Sequence, residues 1–324
     1  MSDNLDKKIL ITGGAGFIGS NIVDYLVANK YKHITVLDNL ETGNLNNIQT
    51  HINSKKVHFI QGSISDYDTC LAATKGQDII LHQAALGSVP RSIINPLATH
   101  QTNVTGFVNI LEAARTNKVN RVVYASSSSV YGDDLNMPKK EEIVGNPLSP
   151  YAVSKKTNEL YAAVFASTYQ MEIIGLRYFN VFGPKQNPAG PYAAVIPIFM
   201  DKLLNKISPT IYGDGNNTRD FTYVENVIQA NLLAAFTKDK AAVNQVYNIA
   251  YGATTSLNKL FELIATDLKL DTKVIYGDKR PGEIKDSFAS IEKAKNLLGY
   301  KPLVSLEEGI KKSIVWYKEN NLRR

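Results

Sequence analysis

Lys8-Ile9-Leu10-Ile11-Thr12-Gly13-Gly14-Ala15-Gly16-Phe17-Ile18-Gly19 is the stretch whose reading decides the fold. Its apolar first half, Ile9 to Thr12, reads as a buried strand. The chain then breaks into glycines and enters a helix whose apolar positions include Phe17, Ile18, Ile22, Val23 and Leu26. Strand, glycine turn and helix are the front half of a βαβ unit that binds a dinucleotide. Gly13 allows the tight turn. Gly16 lets the backbone approach a pyrophosphate, and Gly19 lets the helix lie close on the strand. The helix N-terminus, with Phe17 and Ile18 in its first turn, offers free N–H groups and a partial positive charge to that pyrophosphate.

The glycines are spaced GxxGxxG rather than GxGxxG, so they are weak evidence alone. The second strand adds to them. His33 to Leu37 runs into Asp38, nineteen residues after Gly19. An acid there accepts hydrogen bonds from an adenosine ribose. It also repels a 2′-phosphate, so NAD rather than NADP is the expected cofactor.

At 324 residues the chain has room for a sizeable core in one large domain or two smaller ones. Its 44% apolar and 20% charged residues are ordinary for a soluble globular protein. Its apolar runs fall far short of the roughly 20 residues that span a bilayer. The start, Met1 to Asp6, is polar and acidic, unlike a signal peptide. Cys70 is the only cysteine, which excludes an intrachain disulfide or a cysteine-cluster metal site and fits a reducing cytoplasm. No metal is expected. The net charge is +6, but the lysines are scattered and cluster only briefly, as at Lys139-Lys140 and Lys311-Lys312. No basic stripe with interleaved aromatics suggests nucleic acid. The positive balance suits an anionic small substrate.

The first half alternates strand and helix. Strands are expected at about 57–61, 78–81 and 121–125, and helices at about 66–75, 96–117 and 151–170, with a further strand at 172–177. Such alternation predicts a doubly wound parallel α/β sheet with helices on both faces. After Tyr178, proline and glycine become denser and the elements shorten. Residues 1–178 therefore read as the dinucleotide-binding (Rossmann) domain and 179–324 as a smaller C-terminal substrate lobe. A helix at 224–236 and a strand at 245–250 are expected to return to the main sheet.

Tyr151-Ala152-Val153-Ser154-Lys155 puts a phenol and an ammonium four apart on one helical face. A close ammonium favours phenolate and suits the tyrosine to act as a general base. Upstream, Val122 to Ala125 runs into Ser126-Ser127-Ser128-Ser129-Val130-Tyr131-Gly132. This places hydroxyls at a carboxyl strand end, where a nicotinamide would lie.

Together with Asp38-Asn39 and Leu176-Arg177-Tyr178-Phe179-Asn180-Val181-Phe182-Gly183-Pro184, these motifs resemble the extended short-chain dehydrogenase/reductases, and within them the UDP-hexose 4-epimerases. The likeness runs from about Lys7 to Tyr317. His82 to Ser92 and Tyr192 to Pro197 are similar to the subgroup acting on UDP-N-acetylglucosamine in polysaccharide synthesis. The resemblance implies that Tyr151 takes the proton of the sugar 4-hydroxyl, that Lys155 binds the nicotinamide ribose and tunes the phenol, and that Ser127 is the catalytic serine, with Ser128 assisting. It implies NAD contacts at Gly13, Gly16, Phe17, Ile18, Gly19, Asp38, Asn39, Gly43, Ser63, Ile64, Gln83, Ala84, Asn103, Tyr151, Lys155 and Tyr178. It implies sugar-nucleotide contacts at Gly87, Ser88, Ser127, Ser128, Asn180, Ala194, Val195, Tyr212, Arg219, Arg280, Glu283 and Ser287. Arg219 and Arg280 suit the diphosphate, because a guanidinium grips phosphate bidentately.

Ser63 stands where the family usually has an aspartate that meets the adenine amino group, so that bond is expected to be weaker. Gly87 and Ser287 replace the lysine and tyrosine of glucose-restricted relatives. Ala194 also removes bulk, leaving room for a C2 N-acetyl group. UDP-N-acetylglucuronate and UDP-glucose/galactose are the alternative substrates, and decarboxylation of a uronic acid stays open because the serines could bind a carboxylate. A dehydratase would need acids where Ser127-Ser128-Ser129 stand. The presence of both Tyr151 and Lys155 argues against a non-catalytic NAD-binding module. The resemblance also implies a homodimer built on the helices near 96–117 and 151–170.

Overall fold

The computed structural model describes residues 4–189, 193–279 and 286–321. Strand β1 (Lys8–Thr12) is followed by the helix Phe17–Ala28 and by β2 (His33–Asp38) and β3 (His58–Gln61). Next come the helix Tyr67–Thr74, β4 (Ile79–His82), β5 (Arg121–Ser127), the helix Pro150–Tyr169 and β6 (Glu172–Tyr178). The described residues form a seven-stranded sheet in the order β3-β2-β1-β4-β5-β6, with Val246–Ile249 beside β6. Every pairing in it is parallel.

Both faces of the sheet are covered, which is why its strands are apolar at nearly every position. Ile9, Ile11 and Val36 pack with Ile22, Val23 and Leu26 of the first helix and with Val227 and Ala230 of the helix Val224–Phe236. On the other face, Leu10, Ile80 and Val122 meet Cys70, Phe107, Leu111 and Phe165. Fully burying each such branched side chain stabilises the fold by roughly 1.5–3 kcal/mol. The chain winds outward in both directions from β1 and β4. A crevice therefore opens beyond their carboxyl ends, where Gly13 and Gln83 follow directly.

After β6 the chain builds the smaller lobe. Its helices Val195–Leu204, Leu257–Leu268 and Leu306–Asn321 pack through Phe199, Met200, Leu260, Ile264, Ile310 and Ile314. No helix among the described residues is long and apolar enough to cross a membrane.

Two elements differ from the sequence expectation. The helix expected over 96–117 runs without a gap from Pro96 to Thr116, but its turn Gln101–Thr105 is π-helical. Within that turn lies Asn103, whose Oδ1 accepts from Leu86 N–H (2.8 Å) while its Nδ2 donates to Leu86 O (3.2 Å) and Ser154 Oγ (3.1 Å). Widening one turn presents this amide to the loop after β4. Strand β5 also runs on past Ala125, because Ser126 and Ser127 pair with Arg177 and Tyr178 of β6.

Candidate active site

A cavity of about 350 Å³ occupies the crevice. Gly13 turns the chain with φ +69°, and a Cβ there would lie 2.7 Å from Ala84 N. At Gly19 an added Cβ would stand 2.2 Å from Gly13 O. Glycine is therefore required at both positions. Gly16 caps the helix Phe17–Ala28 without any side-chain hydrogen bond, and Gly16 to Gly19 line the cavity. The helix thus turns its uncapped positive end toward the cavity.

Asp38 is buried at the end of β2. Its Oδ2 accepts from Ala15 N–H (2.9 Å) and its Oδ1 from Leu40 N–H (2.8 Å). Each oxygen keeps a lone pair, so the fixed carboxylate can still accept from ribose hydroxyls. Uncapped helix, glycine cradle and oriented acid fit a dinucleotide.

At the inner end of this cavity stand Ser126, Ser127, Tyr151 and Lys155. Lys155 Nζ donates to Ala125 O (2.8 Å) and lies 6.0 Å from the centroid of the Tyr151 ring. Burial lowers its pKa to about 8. Desolvation pushes the Tyr151 phenol above its ordinary value, and a hydrogen bond with Ser127 opposes that shift. This corrects the sequence reading. Within the protein itself the acidifying partner is the Ser127 hydroxyl, while the ammonium is held by a backbone carbonyl. Nearby His82 is kept neutral, its pKa pushed down to about 3 by burial and by the charge of Lys155.

A buried polar network carries these groups. Arg177 of β6 grips Glu159 on the Tyr151 helix through Nε–Oε1 (2.8 Å) and Nη2–Oε2 (2.9 Å). Ser126 Oγ donates to the same Glu159 Oε1 (2.7 Å). Arg177 Nη1 also reaches Tyr131 Oη (3.0 Å), which donates to Asn248 Oδ1 (2.7 Å).

A second cavity of about 470 Å³ lies in the smaller lobe, lined by Ala194, Val195, Tyr212 and Arg219. Asn180 and Val181 line both cavities, which therefore adjoin. The first also takes in the expected Gly13, Asn39, Ile64, Gln83, Ala84, Gly87 and Tyr178. Tyr178 Oη donates to Gln83 Oε1 (3.0 Å) and accepts from Asn231 Nδ2 (2.8 Å).

Other expected residues stand a layer back. Asn103 braces the Leu86 backbone. Gly43 packs beside Asp38, where a Cβ would meet its Oδ1 at 3.0 Å. Ser63 Oγ accepts from Ser65 N–H, and Ser88 caps the next helix by accepting from Arg91 N–H. Ser128 opens a tight helical turn after β5. Ser287 N–H donates to Thr218 O (3.1 Å), next to Arg219. Arg280 and Glu283 lie outside the described residues.

Sequence reasoning missed Glu41, Thr42 and Thr102 in the first cavity, and Ile198, Phe199, Lys202 and Leu257 in the second. The i, i+3, i+4, i+7 spacing of Val195, Ile198, Phe199 and Lys202 is the signal that marks one face of the helix.

Residues 9–250 match the NAD dependent epimerase/dehydratase family. A putative UDP-glucose 4-epimerase of Methanocaldococcus jannaschii is 44% identical, over 97% of this chain and 99% of that protein. The solved structure of the UDP-N-acetylglucosamine 4-epimerase from Methanobrevibacter ruminantium M1, in complex with UDP-N-acetylmuramic acid, superposes with TM-score 0.92 at 40% identity, covering 97% of this chain and 99% of that one. The UDP-glucose 4-epimerase of Thermus thermophilus in complex with NAD gives TM-score 0.86 at 32% identity, over 96% and 99% of the two chains.

Proposed function

The chain belongs to the NAD dependent epimerase/dehydratase family and uses NAD, and on that premise we propose that it inverts C4 of a UDP-sugar, with UDP-N-acetylglucosamine as substrate and UDP-N-acetylgalactosamine as product. The observation that carries this reading is that Ser127, Tyr151 and Lys155 stand together in a dinucleotide cavity that shares Asn180 and Val181 with a second, arginine-bearing cavity. NAD fits the first cavity through Gly13, Gly16, Gly19 and Asp38. Arg219, with Asn180, Tyr212 and the wall at Ala194 and Val195, would hold the nucleotide. The cofactor lobe is then 1–178 with the returning segment 224–250, and the substrate lobe is the rest of 179–324.

Bound in the first cavity, oxidised NAD would supply the hydride acceptor, and then donor, for inversion at the sugar C4. Tyr151 takes the proton of the 4-hydroxyl and gives it back. Ser127 hydrogen-bonds that oxygen throughout. Lys155, anchored on Ala125 O, would hold the nicotinamide ribose. No acid stands at Ser127-Ser128-Ser129 to drive dehydration.

Gly87 supports the acetylated substrate, because a Cβ added there would meet nothing within 4 Å. The relative from Methanobrevibacter ruminantium, an N-acetylglucosamine epimerase by name, supports it too. Purified protein incubated with UDP-N-acetylglucosamine, without added NAD, is expected to give an equilibrium mixture of the two 4-epimers by NMR. A 4-keto-6-deoxy product, carbon dioxide or unchanged substrate overturns the reaction. A higher kcat/KM for UDP-glucose or for UDP-N-acetylglucuronate overturns the substrate.

Ser287→Tyr should lower turnover of the acetylated sugar by at least about tenfold more than that of UDP-glucose, a steric discrimination of ordinary size. Equal losses sink the pocket-size reading.

We propose also that two copies of the chain pair. Leu97 is 81% exposed, Leu160 59% and Val164 56%, and they sit on the helices expected at the dimer seam. Light scattering is expected to give twice the monomer mass, and a monomer at working concentration refutes the dimer.

A further inference from the structure

Asp220 is fully buried between Arg219 and Phe221, both of which line the second cavity. Backbone N–H groups hold its carboxylate. Oδ1 accepts from Tyr251 (3.0 Å) and Gly252 (3.2 Å), and Oδ2 from Gly252 (3.2 Å) and Ala289 (3.4 Å). Its own carbonyl accepts from Nδ2 of Asn180 (3.1 Å), the residue shared by both cavities. Two residues earlier, Thr218 O accepts from Ser287 N–H (3.1 Å), and Thr218 Oγ1 donates to Asp286 Oδ1 (2.6 Å). Three separate segments, at 180, 251–252 and 286–289, thus converge on 218–220.

A buried carboxylate is costly unless it is hydrogen-bonded, and these N–H groups supply the bonds. Here it gathers the loops around Arg219 and Ser287. We infer that Asp220 is a positioning residue that sets the affinity of the second cavity for the diphosphate sugar, an inference that rests on the function proposed above.

Burial pushes the carboxyl of Asp220 up to about 7, against the pull of its N–H donors. Among the described residues, the titratable groups around it are Arg219, whose guanidinium donates to Thr218 O, Asp286, Tyr251 and Tyr300. The Tyr300 phenol donates to Ala250 O and is itself raised by burial and by Asp220. Protonation replaces an acceptor with an O–H donor facing the loop N–H groups. KM should therefore rise as pH falls through about 7. Stability runs the other way. The folded pKa exceeds the unfolded value, so this group's contribution to stability is present in acid and lost as pH rises through about 7.

The test is steady-state kinetics with UDP-N-acetylglucosamine, whose diphosphate charge is constant across neutrality, together with calorimetry of UDP binding. Asp220→Asn should raise KM by about tenfold, the worth of a lost charge-assisted hydrogen bond. Its kcat should change little, and its KM should be flat across neutral pH. NAD content and thermal melting check that the variant is folded. Should D220N fail to fold, the wild-type profile decides, and a KM constant across neutrality overturns the inference. A wild type that does not bind UDP overturns the nucleotide-cavity reading and this inference with it. A wild type that binds UDP, beside a folded D220N that binds it equally well, overturns the inference alone.

Discussion

Tyr151→Phe is expected to leave only a trace of sugar inversion, with kcat down by about 10³-fold, within the range for losing a general acid–base. The substitution removes one oxygen and keeps the ring against the wall of the cofactor cavity. Neither Gly13 nor Asp38, which the NAD reading depends on, is touched. NAD should therefore remain bound after purification, and KM should move much less than kcat. The phenol lines the same cavity as Ser127. Lys155 as an ammonium cannot stand in for it as base, because it has no lone pair to accept the proton. A coupled assay on Y151F that retains more than about a tenth of wild-type kcat would show that another group moves the proton.

Arg177→Met is expected to destabilise the fold severely, by about 3–5 kcal/mol, because it leaves a carboxylate buried without its partner. The Arg177 and Glu159 side chains are only 4% and 6% exposed. The same Glu159 receives Ser126 Oγ, so its displacement also disturbs the strand that presents Ser127. Urea unfolding measures the loss. The double variant Arg177→Met, Glu159→Leu should recover most of it, since an apolar pair of similar volume avoids the stranded charge. Loss of kcat should persist in the double variant if the pair also aims the serine strand. An Arg177→Met protein as stable as wild type would mean that the ion pair contributes nothing to the fold.

The sequence made the cofactor half legible because its signals are local. An apolar run, Gly13, Gly16, Gly19 and a strand ending at Asp38 all follow one another along the chain, and each reports its own backbone requirement. Tyr151 and Lys155 could be placed on one face because helical periodicity fixes them. The groups that brace the site are a different case. Glu159 meets Arg177 across a helix and a strand, and Asp220 meets Tyr251, Gly252 and Ala289 from remote segments. Nothing in the neighbouring residues predicts such meetings. The π-helical turn at Asn103 is hidden from sequence for the same reason, since Asn103 within it meets the backbone of Leu86. The ammonium of Lys155 was expected beside the phenol. Folding gave it a closer acceptor in Ala125 O, which only the packing of β5 against the Tyr151 helix brings near.

Asn180 and Val181 border both chambers, directly after β6. A chimera that keeps this nucleotide half and borrows a relative's sugar half should therefore not be spliced there. A crossover at that seam would change the walls of two rooms at once, and any altered preference could be blamed on either. Joints placed within β6 upstream, and inside the helix Val195–Leu204 downstream, would carry the shared wall across intact. New selectivity could then be credited to the transplanted part.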